Sequence, residues 1–182
     1  MTPVIPLSQD DLRKLSPSLL VRRFGAEIVA AARGQPILDV ACGGGRNALL
    51  LAHFGGHVIC IDNDLSRLES EIIRLGDTIF EPALSRIELL SLDLMCDEWP
   101  FPSASVGGIV NVHFLNIALF PSFARSASPG SCLLLETVPG CGGNYLQLPK
   151  AGTLRQAFEN FFDFEIYKER KVGVVRQYSI RS

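Results

Sequence analysis

Residues 36–47, which read PILDVACGGGRN, join a short apolar run to three consecutive glycines. The apolar run at residues 36–41 is typical of a buried β-strand, and the glycines mark a turn into the helix-like segment ALLLAHF at residues 48–54. Consecutive small residues let a backbone approach a ligand closely, and the first turn of a helix has free N–H donors. This stretch therefore predicts a strand, a ligand-binding loop and a helix.

The rest of the chain alternates between strand-like and helix-like segments. Continuous apolar runs predict four more strands, at residues 57–62, 86–93, 106–114 and 131–138. Such runs are typical of a parallel sheet that is covered on both faces. Further helices are predicted from about Asp64 to a stop at Gly76, and over residues 153–161.

The end of the chain departs from this alternation. Two strand-like runs, residues 162–170 and 172–180, are separated by almost nothing, with Lys171, Val172 and Gly173 available for a tight turn. A parallel pair needs a crossover of a dozen or more residues, so these two strands must be antiparallel. The sequence thus predicts a doubly wound α/β fold that ends in a C-terminal antiparallel hairpin.

Two helices are predicted ahead of the first strand. Ser8 and Asp11 resemble a capping box at the start of the first helix. For the second helix, Ser16 is the expected N-cap, Pro17 the first helical residue and Gly34 the residue just past the end. These helices occupy residues 1–34 of a single domain, 1–182, whose sheet and remaining helices follow in residues 35–182.

Composition narrows the class of protein. The 182 residues are 47% hydrophobic, and the net charge of −2 argues against nucleic acid as a partner. No apolar stretch reaches the roughly 20 residues that span a bilayer, and no secretory signal is visible, so a cytoplasmic location is expected. The five cysteines have no metal-ligand spacing, and no metal site is predicted.

The glycine loop by itself fits two kinds of cofactor. Gly43, Gly45 and Ala48 also satisfy the dinucleotide pattern G-x-G-x-x-A. S-adenosylmethionine is favoured because Asp39 suits an ammonium group better than a pyrophosphate, and because Asp93 can accept from an adenine amino group. The antiparallel hairpin, moreover, is not part of the usual dinucleotide-binding sheet.

Asp62 ends the second predicted strand, where an acid accepts both ribose hydroxyls in either kind of fold. The alternative role for Asp62 is an N-cap for the next helix. Asn63 and Asp64 can serve as that cap instead, which favours the ribose role.

Three segments of the chain resemble class I S-adenosylmethionine-dependent methyltransferases, and among them the tellurite-resistance methyltransferases. They are residues 38–62 (LDVACGGGRNALLLAHFGGHVICID), 113–137 (HFLNIALFPSFARSASPGSCLLLET) and 144–169 (NYLQLPKAGTLRQAFENFFDFEIYKE). The resemblance implies a mostly parallel, seven-stranded Rossmann-like sheet of order 3-2-1-4-5-7-6. The tellurite-resistance proteins have a longer, polar connection in the final hairpin, so the resemblance by itself does not decide whether tellurite or selenite is an acceptor.

By this resemblance, the glycine loop lines the methionine and ribose end of the cofactor, Asp62 binds ribose, and Asp93 with Leu94 holds adenine. The residues expected to bind the cofactor are Asp39, Ala41, Cys42, Gly43, Gly45, Arg46, Asp62, Asn63, Asp93, Leu94 and Asn111.

Methyl transfer from a sulfonium is an in-line displacement that needs mainly alignment, and a base only when the acceptor is protonated. His113 lies at the end of the fourth predicted strand, which faces the transferable methyl group in this fold, and is the candidate catalytic base. Its alternative role is packing at the strand end. Phe114, Tyr145 and Lys150 are candidates for shaping the acceptor pocket. Arg23 is a candidate for covering the cofactor or the acceptor, with a solvated position on the helix face as its alternative.

The sequence therefore predicts an enzyme that methylates a small molecule, with no membrane or nucleic-acid partner. Two alternatives stay open at this point. One is an NAD(P)-binding oxidoreductase-like domain, and the other is a non-catalytic S-adenosylmethionine-binding module.

Overall fold

The computed structural model describes residues 6–136, 152–169 and 175–181. Within these ranges seven strands form one sheet of order β3-β2-β1-β4-β5-β7-β6. The strands are β1 (Ile37–Val40), β2 (Val58–Asp62), β3 (Ile87–Ser91), β4 (Val106–Val112), β5 (Ala127–Glu136), β6 (Phe162–Glu169) and β7 (Val175–Arg181). Neighbours from β3 to β5 pair in parallel, whereas β7 is antiparallel to both β5 and β6. The predicted sheet order and terminal hairpin are confirmed, and the predicted turn residues 171–173 lie outside the described residues.

Helices and one short 3₁₀ segment (Ile117–Leu119) precede or connect the strands in the described part of the chain. The helices are α1 (Gln9–Leu15), α2 (Leu19–Ala32), α3 (Arg46–His53), α4 (Ser66–Leu75), α5 (Glu81–Leu84), α6 (Phe120–Ser126) and α7 (Thr153–Phe158). None of them combines the length and the apolar composition needed to cross a membrane.

The sheet separates two apolar cores. One core lies between the sheet and helices α2 to α5, and includes Ile37 of β1 and Leu68 of α4. The other core contains Leu38 and Val40 of β1, together with phenylalanines of α6 and α7. Because side chains alternate along a strand, a strand as short as β1 supplies both cores. This explains why β1 and β4 are buried along their whole length.

Strand β3 differs from the expectation of full coverage on both faces. It is the edge strand of the sheet, and Leu89 within it is 37% exposed. An edge strand has a neighbour on one side only, so an apolar run does not ensure burial there. The prediction of a fully covered strand is wrong for β3.

The N-terminal helices confirm one predicted cap and correct another. The Ser8 hydroxyl accepts from the Asp11 backbone N–H at 3.1 Å, which completes the predicted capping box of α1. Ser16, however, ends α1 with φ 51°, and Ser18 caps α2 by accepting from the Leu20 N–H at 3.1 Å. A proline disfavours right-handed helical geometry in the residue before it, so Ser16 leaves the helix. Pro17 then lies between the helices rather than inside the second one.

Candidate functional site

A cavity of about 880 Å³ opens at the carboxyl ends of the parallel strands. Ala41 follows β1, Asp62 ends β2, Asp93 follows β3 and His113 follows β4, and all four line the cavity. Ligands of open α/β sheets bind at this edge. Nine of the predicted site residues lie on its wall: Ala41, Cys42, Gly43, Arg46, Asp62, Asn63, Asp93, Leu94 and His113. Phe114, a candidate for the acceptor pocket, lies there too.

The two outer glycines of the loop have different roles. A Cβ added at Gly43, whose φ is +53°, would meet no atom within 4 Å, so the loop leaves open space there. A Cβ at Gly45, with φ +71°, would lie 2.4 Å from Cδ1 of Leu68 on α4. Gly45 is buried and is not on the cavity wall. Sequence reasoning assigned both glycines to the ligand, whereas the structure places Gly45, the N-cap of α3, against the side chain of Leu68.

Asp62 joins the glycine loop to the second strand. One carboxylate oxygen, Oδ2, accepts from the Gly43 N–H at 2.8 Å, and Oδ1 accepts from the Asp64 N–H at 3.2 Å. The carboxylate of Asp64 in turn accepts from the Ser66 N–H at the start of α4. Asp62 is therefore not the N-cap of α4, which is Leu65, and it is Asp64 that accepts from the first N–H of this helix. Asp62 lies at the cavity.

Asp39 lies behind the cavity wall rather than on it. It is 1% exposed, and its Oδ2 accepts from the Ala48 N–H in the first turn of α3 at 3.0 Å. Burial raises the pKa of Asp39 to about 7, against the lowering effects of the Ala48 N–H and of Arg46. Strand alternation directs Asp39 toward α3, so its carboxylate satisfies a helix N–H that has no partner within the helix. The predicted contact of Asp39 with the methionine amino group is not supported by this position.

Asn111 links two neighbouring strands through its side chain. It is buried, and its Nδ2 donates to the carbonyl of Val40 at 3.2 Å, across from β4 to β1. It does not line the cavity.

Asp93, which follows β3, does line the cavity, and its Oδ1 accepts from the Met95 N–H at 2.9 Å. Of these two predicted cofactor contacts, only Asp93 is brought to the site.

His113 is held in an uncommon backbone conformation. Its φ is +66°, and its N–H donates to the carbonyl of Glu136 at the end of β5, at 2.7 Å. A left-handed conformation is uncommon in a residue other than glycine, and it persists only where the surrounding contacts hold it in place. The imidazole Nδ1 lies 3.2 Å from Nη2 of Arg46. Burial and the Arg46 charge lower the pKa of His113, and Glu136 opposes them.

Contacts from distant segments attach the N-terminal helices to this end of the cavity. Arg46 Nη1 donates to the carbonyl of Ser16 at 3.4 Å, and the Ser18 N–H donates to Oδ1 of Asn47 at 2.9 Å. The Ser18 hydroxyl donates to the buried carboxylate of Glu136. As a result Lys14 of α1 becomes part of the cavity wall. Sequence reasoning missed Lys14, Ser18 and Glu136, because no local pattern links positions 29 and 118 residues apart.

The remaining candidates contribute less. Arg23 lies over the ring of Phe24 at 4.8 Å, which is a packing contact within α2. Tyr145 and Lys150 lie outside the described residues. In the described part of the chain, no group of three or more His, Cys, Asp or Glu residues could hold a metal ion.

No protein-family model and no curated protein matches the chain. Solved structures do match it. A SAM-dependent methyltransferase from Aquifex aeolicus has a TM-score of 0.60 and 16% identity, covering 97% of this chain and 100% of that one. TehB from Haemophilus influenzae has a TM-score of 0.65 and 14% identity, covering 96% of this chain and 67% of that one. The glycopeptide N-methyltransferase MtfA, in complex with S-adenosyl-L-homocysteine, has a TM-score of 0.60 and 14% identity, covering 90% and 89%.

All three structures are named as methyltransferases or as TehB, and each aligns with most of the present chain. The sheet order and the antiparallel position of β7 agree with the expectation drawn from residues 38–62 and the terminal hairpin. At these identities the likeness concerns the fold. This chain has the fold of the class I S-adenosylmethionine-dependent methyltransferases.

Proposed function

We propose that this protein is a single-domain enzyme that transfers a methyl group from S-adenosylmethionine to a small-molecule acceptor by in-line displacement. The observation that carries the proposal is the position of Asp62, which faces the cavity while it holds the N–H of Gly43 in the glycine loop. The similar MtfA structure contains the demethylated cofactor, S-adenosyl-L-homocysteine, which supports the same cofactor class here.

The residues at the Asp62 end fit this cofactor. An ionised carboxylate has about four lone-pair sites, and Gly43 and Asp64 use one on each oxygen of Asp62. One site on each oxygen remains, which suits the two hydroxyls of a ribose. The open space beside Gly43 leaves room for the cofactor against the backbone, and Asp93 would accept from the adenine amino group.

The other end of the cavity holds cationic and polar groups. Arg46 uses two of its five N–H donors on Ser16 and His113, and the others suit the carboxylate of the methionine moiety. When bound, S-adenosylmethionine supplies a methyl group activated by its sulfonium. The chain's own task is then alignment, which supplies much of the catalysis of such a transfer. His113, on the same wall as Arg46, is the proposed catalytic residue.

The size of the cavity supports a small acceptor. A volume of about 880 Å³ lies within the range of roughly 300–1,000 Å³ for small-molecule sites, and the cofactor takes part of it. Lys14 and Leu15 of α1 form part of the wall, so the helix narrows the space available to an acceptor. The described cysteines Cys42, Cys60, Cys96 and Cys132 are free thiols, which suits the proposed cytoplasmic location.

Calorimetry with S-adenosylmethionine, S-adenosylhomocysteine and NADH tests the cofactor. We expect micromolar or tighter binding of the first two and none of NADH. Preferred binding of NADH would replace the proposal with the oxidoreductase alternative.

Formation of S-adenosylhomocysteine with a panel of thiols, amines and chalcogen oxyanions then tests the activity. Turnover with one of these classes supports the enzyme. Tight cofactor binding without turnover on the whole panel would favour the non-catalytic module.

A further inference from the structure

We propose that Arg46 is a positioning residue that holds His113 as a neutral ring with its proton on Nε2, so that His113 donates a hydrogen bond and is not a general base. The inference rests on the proposed function for its chemical consequence: the acceptor must reach the cavity already deprotonated, as an acidic thiol does at neutral pH. The arrangement of the two side chains can be tested without any turnover.

The side chains of Arg46 and His113 are in direct contact. Nη2 of Arg46 lies 3.2 Å from Nδ1 of His113. A guanidinium carries five N–H donors and no acceptor, and it stays charged in proteins. Nδ1 must therefore be the acceptor in this contact. A neutral imidazole has only one N–H, so its proton lies on Nε2.

The second step is that both partners are fixed by other contacts. Arg46 begins α3, and its Nη1 also donates to the carbonyl of Ser16. The backbone of His113 is held by its own N–H bond to Glu136 and by its left-handed conformation. The contact between the two side chains is thus one of the contacts that join the ends of α1, α3, β4 and β5, and neither partner is held by this contact alone.

The third step concerns the charges around the ring. Arg46 faces it from α3, and Glu136 acts on it from the end of β5. Lys14 of α1 lines the same cavity. Burial and the Arg46 cation lower the pKa of His113 more than Glu136 raises it, which agrees with a neutral ring at pH 7. A second proton, on Nδ1, would make the ring a cation directly beside the Arg46 cation.

The consequence is chemical. A general base needs a lone pair within reach of the acceptor's proton. In His113 the lone pair of Nδ1 is used by Arg46, and Nε2 carries the hydrogen. Asp62 ends β2 and Asp93 follows β3, and both strands lie on the other side of β1 from β4. The two carboxylates therefore belong to the opposite end of the cavity.

The transfer then balances without a proton shift to the protein. An anionic acceptor atom forms a bond to the methyl carbon while the bond from carbon to the sulfonium breaks. The electron pair of that bond stays on sulfur, so the anionic acceptor atom and the sulfonium sulfur both become uncharged. The rate at a given pH should follow the deprotonated fraction of the acceptor.

The first experiment is an NMR measurement on the whole protein, with ¹⁵N-labelled histidines, of which ring nitrogen of His113 carries the proton. We expect Nε2–H in the wild type and a mixture of the two neutral forms in Arg46→Leu. Arg67→Leu removes another arginine from the cavity wall and should leave the His113 signals unchanged. His57, whose Nε2 lies 3.4 Å from Glu88, provides a reference ring in the same spectra. A proton on Nδ1 in the wild type, or no change in Arg46→Leu, overturns the proposal.

The second experiment compares two variants of His113 in turnover with acidic thiols. His113→Gln keeps an N–H donor but offers no comparable base, and should stay within about tenfold of the wild type. His113→Leu removes the donor and should be about 10-fold to 100-fold slower. A loss of about 10²–10⁴-fold in both variants would mean that His113 is a base, against the proposal.

Failure of the proposed function and failure of the role of Arg46 give different results. If S-adenosylmethionine does not bind, the proposed function fails, while the NMR result still decides the state of His113. If turnover is found but the NMR places the proton on Nδ1, only the role of Arg46 fails.

Discussion

The two ends of the cavity are built in different ways. At the Asp62 end, the contacts join residues that are close in sequence: Asp62 is 19 positions from Gly43, and Asp39 is nine from Ala48. At the His113 end, Arg46 is 67 positions from His113, and Ser18 is 118 from Glu136. The first end is one strand-loop-helix-strand unit, and the second is a junction of distant segments. We therefore expect changes at the first end to act on the loop and its ligand, and changes at the second to act on the coupling of the N-terminal helices to the site.

The largest expected effect separates the two glycines at the Asp62 end. Gly45→Val should lower the free energy of unfolding by about 2–6 kcal/mol, from left-handed strain and the clash with Leu68. Gly43→Val, with similar strain but open space around its Cβ, is the matched control and should lose less stability and more cofactor affinity. Chemical denaturation measures the free energy of unfolding of each variant, and calorimetry measures its affinity for the cofactor. Equal losses of stability in the two variants would contradict the distinction.

The next effect is the pH dependence that Asp39 brings to the same end. Its pKa is raised from 3.8 to about 7, so the folded state binds this proton more tightly than the unfolded state. The stabilisation is complete below about pH 4 and is lost as pH rises toward 7, by up to about 4 kcal/mol. The free energy of unfolding measured from pH 4 to pH 8 should therefore fall more steeply in the wild type than in Asp39→Asn. Parallel curves would show that Asp39 titrates normally.

Replacing Asp62 tests the ligand side of that end. Asp62→Ala should weaken S-adenosylmethionine binding by about 1–3 kcal/mol, because ribose hydroxyls lose a charged acceptor. Asp64→Asn keeps a side-chain oxygen that can accept from the Ser66 N–H, and it should bind the cofactor as the wild type does. Isothermal titration compares the two. Unchanged affinity in Asp62→Ala would remove Asp62 from the ribose site.

The smallest expected effect concerns Ser18, at the His113 end of the cavity. Ser18→Ala should cost about 1–2 kcal/mol of stability, since it removes the cap of α2 and a hydrogen bond to the buried Glu136 carboxylate. Turnover should fall while cofactor affinity is kept. Ser8→Ala removes the exposed cap of α1 and should leave turnover unchanged. If Ser18→Ala weakened cofactor binding as much as Asp62→Ala does, the two ends would not be separate.

Several predictions from the sequence hold because each depends on local chemistry. The glycine loop after β1, Asp62 at the end of β2 and the antiparallel β6–β7 pair follow from residue type and spacing along the chain. The choice of Ser16 as a cap was wrong because two serines flank one proline, and only the path of the chain distinguishes them. The short helices α5 and α6 were not predicted, since four and seven residues carry too little periodicity to stand out.

By itself, the sequence determined the order of the strands along the chain, the glycine loop after β1 and the acidic residues at the ends of β2 and β3. These depend on side-chain periodicity and on the short reach of turns. Only the tertiary structure decided that Asp39 and Asn111 are buried supports and that Arg46 contacts His113. It alone brought Lys14 to the cavity wall. The physical reason is that strand alternation gives two faces but does not tell which helix covers each one, and contacts between distant segments exist only once the chain has packed.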